Sequence, residues 1–146
     1  MAKSNCNALD INFISQVDDQ EEMASPMISE AFSDSPWYTY IIFVLQKLQA
    51  PPGLSRTKAR FLKLKAVRFC ILDNALFWRD HSGILLNCLL KEEVDKILEE
   101  FHAGDCGGHL YWKTTTNKIL RASFYWHTLF ADVKKYVTSC HKCQIF

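Results

Sequence analysis

The sequence lacks the patterns that direct a chain into or across a membrane. Its most apolar stretch near the start, residues 37–45, is far shorter than the roughly 20 residues needed to cross a bilayer. The N-terminus shows no basic start followed by an apolar run and a small-residue cleavage site. We therefore expect no signal peptide or transmembrane segment, and an intracellular protein whose six cysteines stay reduced rather than forming a disulfide framework.

The chain also lacks internal repeats and low-complexity runs, so its 146 residues have room for one ordinary domain or a small domain with an appendage. The charge is unevenly distributed. Residues 1–36 carry seven acidic residues against Lys3, a net charge of −6, whereas residues 37–146 carry sixteen Lys and Arg against nine acidic residues, a net charge of +7. An acidic tail joined to a basic body predicts a polyanionic partner.

Three segments differ in composition. Residues 1–36 are rich in Ser, Asp, Glu and Met, which predicts an acidic, disordered tail. Residues 37–90 form a predicted extension of helices and a β-hairpin, in which Ser35 is a candidate N-cap for a helix from Trp37 to Leu48. Residues 91–146 form a separate predicted domain.

A second helix in the extension, over residues 55–66, is strongly basic. The helix and Arg68, which lies just after it, carry six cations and no acid: Arg56, Lys58, Arg60, Lys63, Lys65 and Arg68. One interpretation is an ordinary solvated face, with Phe61, Leu62 and Leu64 turned inward. The other is a helix that faces the phosphates of a nucleic acid. The sequence favours neither.

The rest of the extension has the pattern of a hairpin. Two apolar runs, residues 68–72 and 75–79, flank Asp73-Asn74, a pair suited to a tight turn, and residues 84–89 predict a third strand. Cys70 and Cys88 fall at apolar strand positions without a partner at metal spacing, so we interpret both as small buried thiols.

The last third returns to helical periodicity. Helices are predicted over residues 91–102, 110–122 and 128–138, with a glycine-rich turn after the first. The apolar residues expected inside the last helix are Leu129, Phe130, Val133 and Val137.

Four donors for a metal lie at the ends of these helices: His102, His109, Cys140 and Cys143. Imidazole and thiolate are the donors that Zn²⁺ prefers, and a closed set of four predicts one structural zinc that stabilises the domain. Three other donors remain possible replacements: Cys106, His127 and His141. A redox CxxC motif is less consistent, because it would open a helix after a strand.

The same residues resemble the zinc-binding (HHCC, or H2C2) domain of integrases from gypsy-type LTR retrotransposons. The matching residues are Gly108-His109, Lys113-Thr114, residues 118–121 (Lys-Ile-Leu-Arg), residues 124–126 (Phe-Tyr-Trp), Asp132-Val133, Tyr136-Val137 and Cys140-x-x-Cys143-Gln144. Residues 37–48 and 68–79 resemble the upstream part of the same polyproteins, so the resemblance covers about residues 37–146. Tyr111, Ser123 and His127 depart from the usual Gly, Gly and Pro.

This resemblance implies that His102, His109, Cys140 and Cys143 are the zinc ligands. It further implies DNA binding, at retroelement ends or non-specifically, together with self-association and a nuclear location. The catalytic core of the family would begin after Gln144, so we expect no nuclease or strand-transfer activity and no small-molecule substrate. The expected nucleic-acid contacts are Arg56, Lys58, Arg60, Lys63, Lys65, Arg68, Lys113, Lys118 and Arg121.

The predicted fold is α+β and mainly helical, with a helix-and-hairpin extension followed by a zinc-stapled three-helix bundle. Two alternatives to a nucleic-acid-binding module stay open. One is a zinc-stabilised protein-interaction module, and the other is a non-functional retrotransposon relic.

Overall fold

The computed structural model describes residues 27–104 and 107–145, and the chain divides into two compact units that meet in the sequence at Leu85 and Leu86. Its helices are α1 (Glu30–Ser33), α2 (Thr39–Lys47), α3 (Arg56–Ala66), α4 (Lys91–His102), α5 (Trp112–Arg121), α6 (Leu129–Thr138) and α7 (His141–Ile145). Its strands are β1 (Phe69–Leu72), β2 (Ala75–Arg79), β3 (Leu85–Cys88) and β4 (Phe124–Tyr125). The predicted α+β, mainly helical class is confirmed.

The first unit includes part of the segment expected to be an acidic tail. Helix α1 lies in this part and buries Phe32, and Ile28 forms a parallel bridge with Asn74. The rest of the expected tail, residues 1–26, lies outside the described residues.

Helix α2 begins later than expected. It starts at Thr39 rather than Trp37, while the Ser35 hydroxyl accepts a hydrogen bond from the backbone N–H of Trp37 at 3.4 Å. Ser35 therefore stabilises the turn before the helix instead of capping it. The helix buries Ile41, Ile42, Val44 and Leu45 and ends at Leu48, which has a left-handed φ of 57°.

Helix α3 lies where the helix over residues 55–66 was expected, but its inner face is unexpected. The Ser55 hydroxyl accepts a hydrogen bond from the Lys58 N–H at 3.3 Å, which satisfies one free donor of the first turn. Ala66 is buried and Ala59 and Leu62 are half-buried. These three residues form a stripe along one face of the helix. The prediction that Phe61 and Leu64 turn inward is wrong, because the helical period places them opposite this stripe.

The predicted hairpin is confirmed. Strands β1 and β2 pair antiparallel from Phe69↔Trp78 to Leu72↔Ala75. Asp73 and Asn74 join them with φ values of 48° and 63°, and two consecutive positive φ angles are typical of the turn whose twist matches a hairpin. Cys70 is buried in strand β1 of the hairpin but is disulfide-bonded, so the expectation of a free thiol is wrong there.

The described part of the second unit contains the four helices α4 to α7 and a pair of short strands. Strand β3 pairs parallel with β4 through Asn87↔Phe124 and Cys88↔Tyr125. Cys88 is a free, buried thiol as expected, and burial raises its pKa well above the usual value. The three helices α4, α5 and α6 pack against one another, as predicted for the bundle. Its most deeply buried apolar side chains are Ile119, Trp126, Leu129 and Val133.

Helix α6 is held by a polar contact as well as by its apolar stripe. The Asp132 carboxylate accepts hydrogen bonds from the Trp126 indole N–H at 2.8 Å and from the Thr128 hydroxyl at 2.6 Å. Because Trp126 is fully buried, this carboxylate satisfies a donor that has lost water. The prediction that Phe130 is buried is wrong, since its side chain is 59% exposed.

None of the described helices is both long enough and apolar enough to traverse a bilayer.

Candidate metal centre

The four predicted ligands converge in the second unit. One donor atom from each of His102, His109, Cys140 and Cys143 lies within 4.8 Å of the others. Among the described residues this is the one group of three or more His, Cys, Asp or Glu side chains arranged to hold a metal ion.

The spacing of the donor atoms suits a tetrahedral zinc ion. Zn–S bonds of about 2.3 Å and Zn–N bonds of about 2.0 Å place neighbouring donors roughly 3.3–3.8 Å apart in a tetrahedron. Cys143 Sγ lies 3.3 Å from His102 Nε2 and 3.7 Å from His109 Nδ1, and Cys140 Sγ lies 3.4 Å from His109 Nδ1. The donor set is therefore consistent with a single Zn²⁺, which would leave no open coordination position for catalysis.

The end of helix α4 and the turn after it position the two histidines. His102 is fully buried in the last turn of α4, and the His109 N–H donates a hydrogen bond to the His102 carbonyl at 2.9 Å. Gly107 lies against that carbonyl group so closely that a Cβ atom would overlap with it. Gly108 and His109 both have left-handed φ angles, 67° and 50°, which turn the chain back toward α4.

The two cysteines lie around the start of the short helix α7. Cys140 precedes it and Cys143 lies within it, and the Gln144 amide donates a hydrogen bond to the Thr138 carbonyl at 2.8 Å. This bond fastens α7 to the end of α6, which gives the Gln after the CxxC motif a structural role.

The environment favours the neutral form of one imidazole and the ionised form of one thiol. Burial lowers the pKa of His102, and the nearby His109 lowers it further. The backbone N–H of Cys143 contributes most to lowering the pKa of the Cys140 thiol. Burial raises the pKa of Cys143 instead. Neutral imidazole and thiolate are the forms that bind metal.

Tyr136 is a neighbour of the site that the sequence did not identify. Its ring meets the His102 imidazole edge to face, with centroids 5.8 Å apart. The outward nitrogen of that imidazole, Nδ1, is buried without a hydrogen-bond partner among the described residues. Packing against Tyr136 therefore helps to orient this ligand. In the sequence, the only hint of a role for Tyr136 was the Tyr136-Val137 pair among the residues that carry the family resemblance.

The two alternative donors that the structure describes, His127 and His141, do not join the cluster. His127 and His141 are exposed and lie outside the group of converging donors. Cys106 lies outside the described residues.

The residues expected to contact nucleic acid belong to two groups, one in each unit. Arg56, Lys58, Arg60, Lys63 and Lys65 are all exposed on α3. Lys113 and Arg121 are exposed on α5, where Lys118 is half-buried.

Arg68 differs from the other basic residues of the first unit. Its guanidinium lies 5.4 Å from the ring centre of Trp78, and its Nη2 lies 2.9 Å from His81 Nδ1. These contacts hold Arg68 on the hairpin.

An aromatic cluster on the second unit was also missed. The ammonium groups of Lys113 and Lys134 each lie 5.6 Å from the ring centre of Trp112, beside the exposed Tyr111. Trp112 therefore gathers a lysine from α5 and another from α6, which lie 21 positions apart in the chain. Spacing alone gives no signal for such a pair.

Comparisons with known proteins agree with this geometry. Residues 90–146 match the family model described as "Integrase zinc binding domain". All four clustered donors fall inside the matched range.

Three curated relatives are similar over a longer part of the chain, and each is named "Gypsy retrotransposon integrase-like protein 1". The relative from Pongo abelii is 29% identical over 96 residues, which are 64% of this chain and 18% of the relative. Those from Macaca fascicularis and Homo sapiens are 30% and 29% identical over 86 residues, 58% of this chain and 16% of each relative. The chain thus matches less than a fifth of the length of these relatives. No solved structure matches the chain.

Proposed function

We propose that the chain is a zinc-stabilised module that binds nucleic acid and self-associates, on the basis that residues 90–146 match the model of the integrase zinc-binding domain. In this proposal the chain is a binding protein and not an enzyme, since the family match concerns the zinc-binding domain. The proposal also implies a nuclear location, where DNA is accessible.

The observation that carries the proposal is the closed His₂Cys₂ cluster in the same helical bundle as the basic helix α5. When bound, zinc supplies a cross-link between its ligands rather than a reactive centre. His102 and His109 hold the end of α4 and its glycine turn, while Cys140 and Cys143 hold the end of α6. This arrangement stabilises the bundle from which α5 presents Lys113 and Arg121 to solvent.

The α5 surface has the chemistry of a phosphate contact. Lys113 and Arg121 are exposed, and Lys134 joins them through the Trp112 ring. Each ammonium lies 5.6 Å from the ring centre, so the two lysine nitrogens are no more than twice that distance apart. Paired cations at such spacing suit the repeated phosphates of a nucleic-acid backbone, which bind without sequence preference.

Fluorescence anisotropy with a labelled 30-base-pair duplex of mixed sequence tests nucleic-acid binding. We expect affinity to fall steeply with salt, because each neutralised phosphate releases counterions and adds about −0.9 to the slope of log K against log salt. The double variant Lys113→Glu with Arg121→Glu should bind at least tenfold more weakly. No binding by the wild-type protein at low salt would reject the proposal.

A control with the same change in net charge is available on α4. Lys91 and Lys96 are both exposed and lie outside the proposed contact surface. Lys91→Glu with Lys96→Glu should weaken binding much less than the α5 double variant. Equal losses would show that net charge, not the α5 surface, determines affinity.

Self-association is supported by exposed apolar side chains in the second unit. Phe130 is 59% exposed and Ile145 is 66% exposed. Light scattering after size exclusion should show a concentration-dependent oligomer that Phe130→Ser shifts toward monomer. The same exposed residues favour a second candidate function, a protein-interaction module. Loss of association in Phe130→Ser, together with no duplex binding by the wild type, would favour the protein-interaction module.

A further inference from the structure

Helix α3 exposes an aromatic side chain among closely spaced cations, and we propose that this helix binds unpaired, single-stranded nucleic acid with Phe61 stacked on a base. The inference rests on the proposed function and deepens it by naming the class of nucleic acid. It concerns the first unit alone.

Phe61 is not part of the core of its unit. Its side chain is 69% exposed, and that of Leu64, one turn later, is 58% exposed. The inner face of α3 is already supplied by Ala59, Leu62 and Ala66. An exposed aromatic ring at such a position gives the folded unit little stability, which makes a role in binding the better explanation.

Cations lie on both sides of this apolar ridge. Residues three and four apart are neighbours on a helix, so Lys58 and Lys65 lie beside Phe61, and Arg60 lies beside Leu64. All three are exposed. The chain has no acidic residue between Asp34 and Asp73, so no acid nearby in sequence compensates this charge. The occupant that complements α3 is therefore polyanionic.

The ring of Phe61 favours one kind of polyanion over the others. A duplex keeps its bases stacked inside, so it offers phosphates to the cations but no free base face to Phe61. An unpaired strand offers both, and stacking of bases on aromatic side chains beside a basic groove is the usual basis of such binding. An acidic peptide would match the charges but would lack successive flat rings. Helix α3 is about 16 Å long, enough to contact several nucleotides.

The test compares a labelled 20-nucleotide mixed-sequence DNA strand with its blunt duplex, using the zinc-loaded full chain at one fixed salt concentration. We expect the wild type to bind the single strand more tightly than the duplex. Phe61→Leu keeps an apolar side chain but removes the π face, and it should weaken single-strand binding roughly 5- to 150-fold. Duplex binding should change less than threefold.

Two further variants keep the test independent of folding. Leu64→Ala, on the same exposed ridge, should weaken single-strand binding much less than Phe61→Leu does. Phe61→Trp should retain affinity, and its indole fluorescence should be quenched by the single strand beyond any quenching of the wild type. Absence of this extra quenching would contradict stacking.

The outcomes separate this inference from the proposed function. Failure of the wild type to bind either DNA at low salt would reject both. Binding of both DNAs with no difference between Phe61→Leu and wild type would reject the inference alone. Vesicles containing phosphatidylserine provide the last comparison. Binding to vesicles that Phe61→Leu retains, without single-strand binding, would overturn the inference in favour of a membrane surface.

Discussion

The two units hold their structures together in different ways. In the first unit the contacts that order α3 and the hairpin are short in sequence, namely the two-residue turn at Asp73-Asn74 and the cap from Ser55 to Lys58, although Ile28 also bridges Asn74 from far along the chain. In the second unit the decisive contacts are long in sequence, since Cys143 meets His102 across 41 positions. A contact between residues close in sequence costs little chain entropy, whereas a contact between distant residues costs more and needs a stronger interaction to offset that cost. The stability of the second unit should therefore depend on a few single groups more than that of the first unit does.

Loss of the metal should produce the largest difference between the units. Cys140→Ser, or removal of zinc by a chelator, should unfold residues 91–146, because metal binding and folding are coupled in small zinc domains. Hydrogen exchange should then show fast exchange in α4 to α6 and retained protection in the β1–β2 hairpin. Wild-type protein should contain about one equivalent of zinc.

A cysteine outside the cluster is the control for this prediction. Cys88→Ala removes a free, buried thiol of the same unit and should leave the zinc content unchanged. A stable, zinc-free wild type would overturn both the metal assignment and the contrast between the units.

The glycine turn should give the second largest effect. Gly107→Ala would place a Cβ against the His102 carbonyl group, and the backbone must shift to accommodate it. We expect at least a tenfold loss in zinc affinity, measured by competition with a chromogenic chelator. Gly53→Ala, at a turn with φ +87° in the first unit, should strain its own turn but leave zinc affinity unchanged.

The Asp132 contact should have an intermediate effect. Asp132→Ala leaves the buried Trp126 indole N–H without its partner, which costs about 1–3 kcal/mol of unfolding free energy. Thermal denaturation followed by near-UV circular dichroism should report this loss. The exposed Asp95 on α4 offers a control, and Asp95→Ala should change stability by less than about 0.5 kcal/mol. Equal losses would contradict a role for the indole contact.

The helix cap of the first unit should have the smallest effect. Ser55→Ala removes the acceptor for the Lys58 N–H and should cost about 1 kcal/mol, without any change in zinc content. Denaturant unfolding of the first unit, followed by hydrogen exchange in α3, measures it. A larger loss here than in Asp132→Ala would contradict the greater dependence of the second unit on single groups.

Much of the fold was predictable because the relevant signals are local. Asp73-Asn74 between two apolar runs predicts the hairpin, and the helix predicted over residues 55–66 matches α3. The errors have a common physical reason. Phe61 and Leu64 lie opposite the buried stripe of α3, and Phe130 lies at the edge of the buried stripe of α6, where it is exposed. Apolar character alone does not tell which face of a helix a residue occupies. The exposed face of α3 is nevertheless the one that matters for function in our proposal, since Phe61 on this face makes the proposed stacking contact.

The sequence by itself limited the metal donors to four preferred residues and three alternatives, because residue type and spacing restrict the choice to histidine and cysteine near the ends of predicted helices. Only the tertiary structure decided which of the six donors that it describes converge. It also decided that Tyr136 packs on His102 and that Lys113 and Lys134 share one indole ring. These contacts join residues far apart in the chain, and packing of α4, α5 and α6 is what brings them together. A pattern along the chain specifies the donors, but their distances depend on how the helices pack.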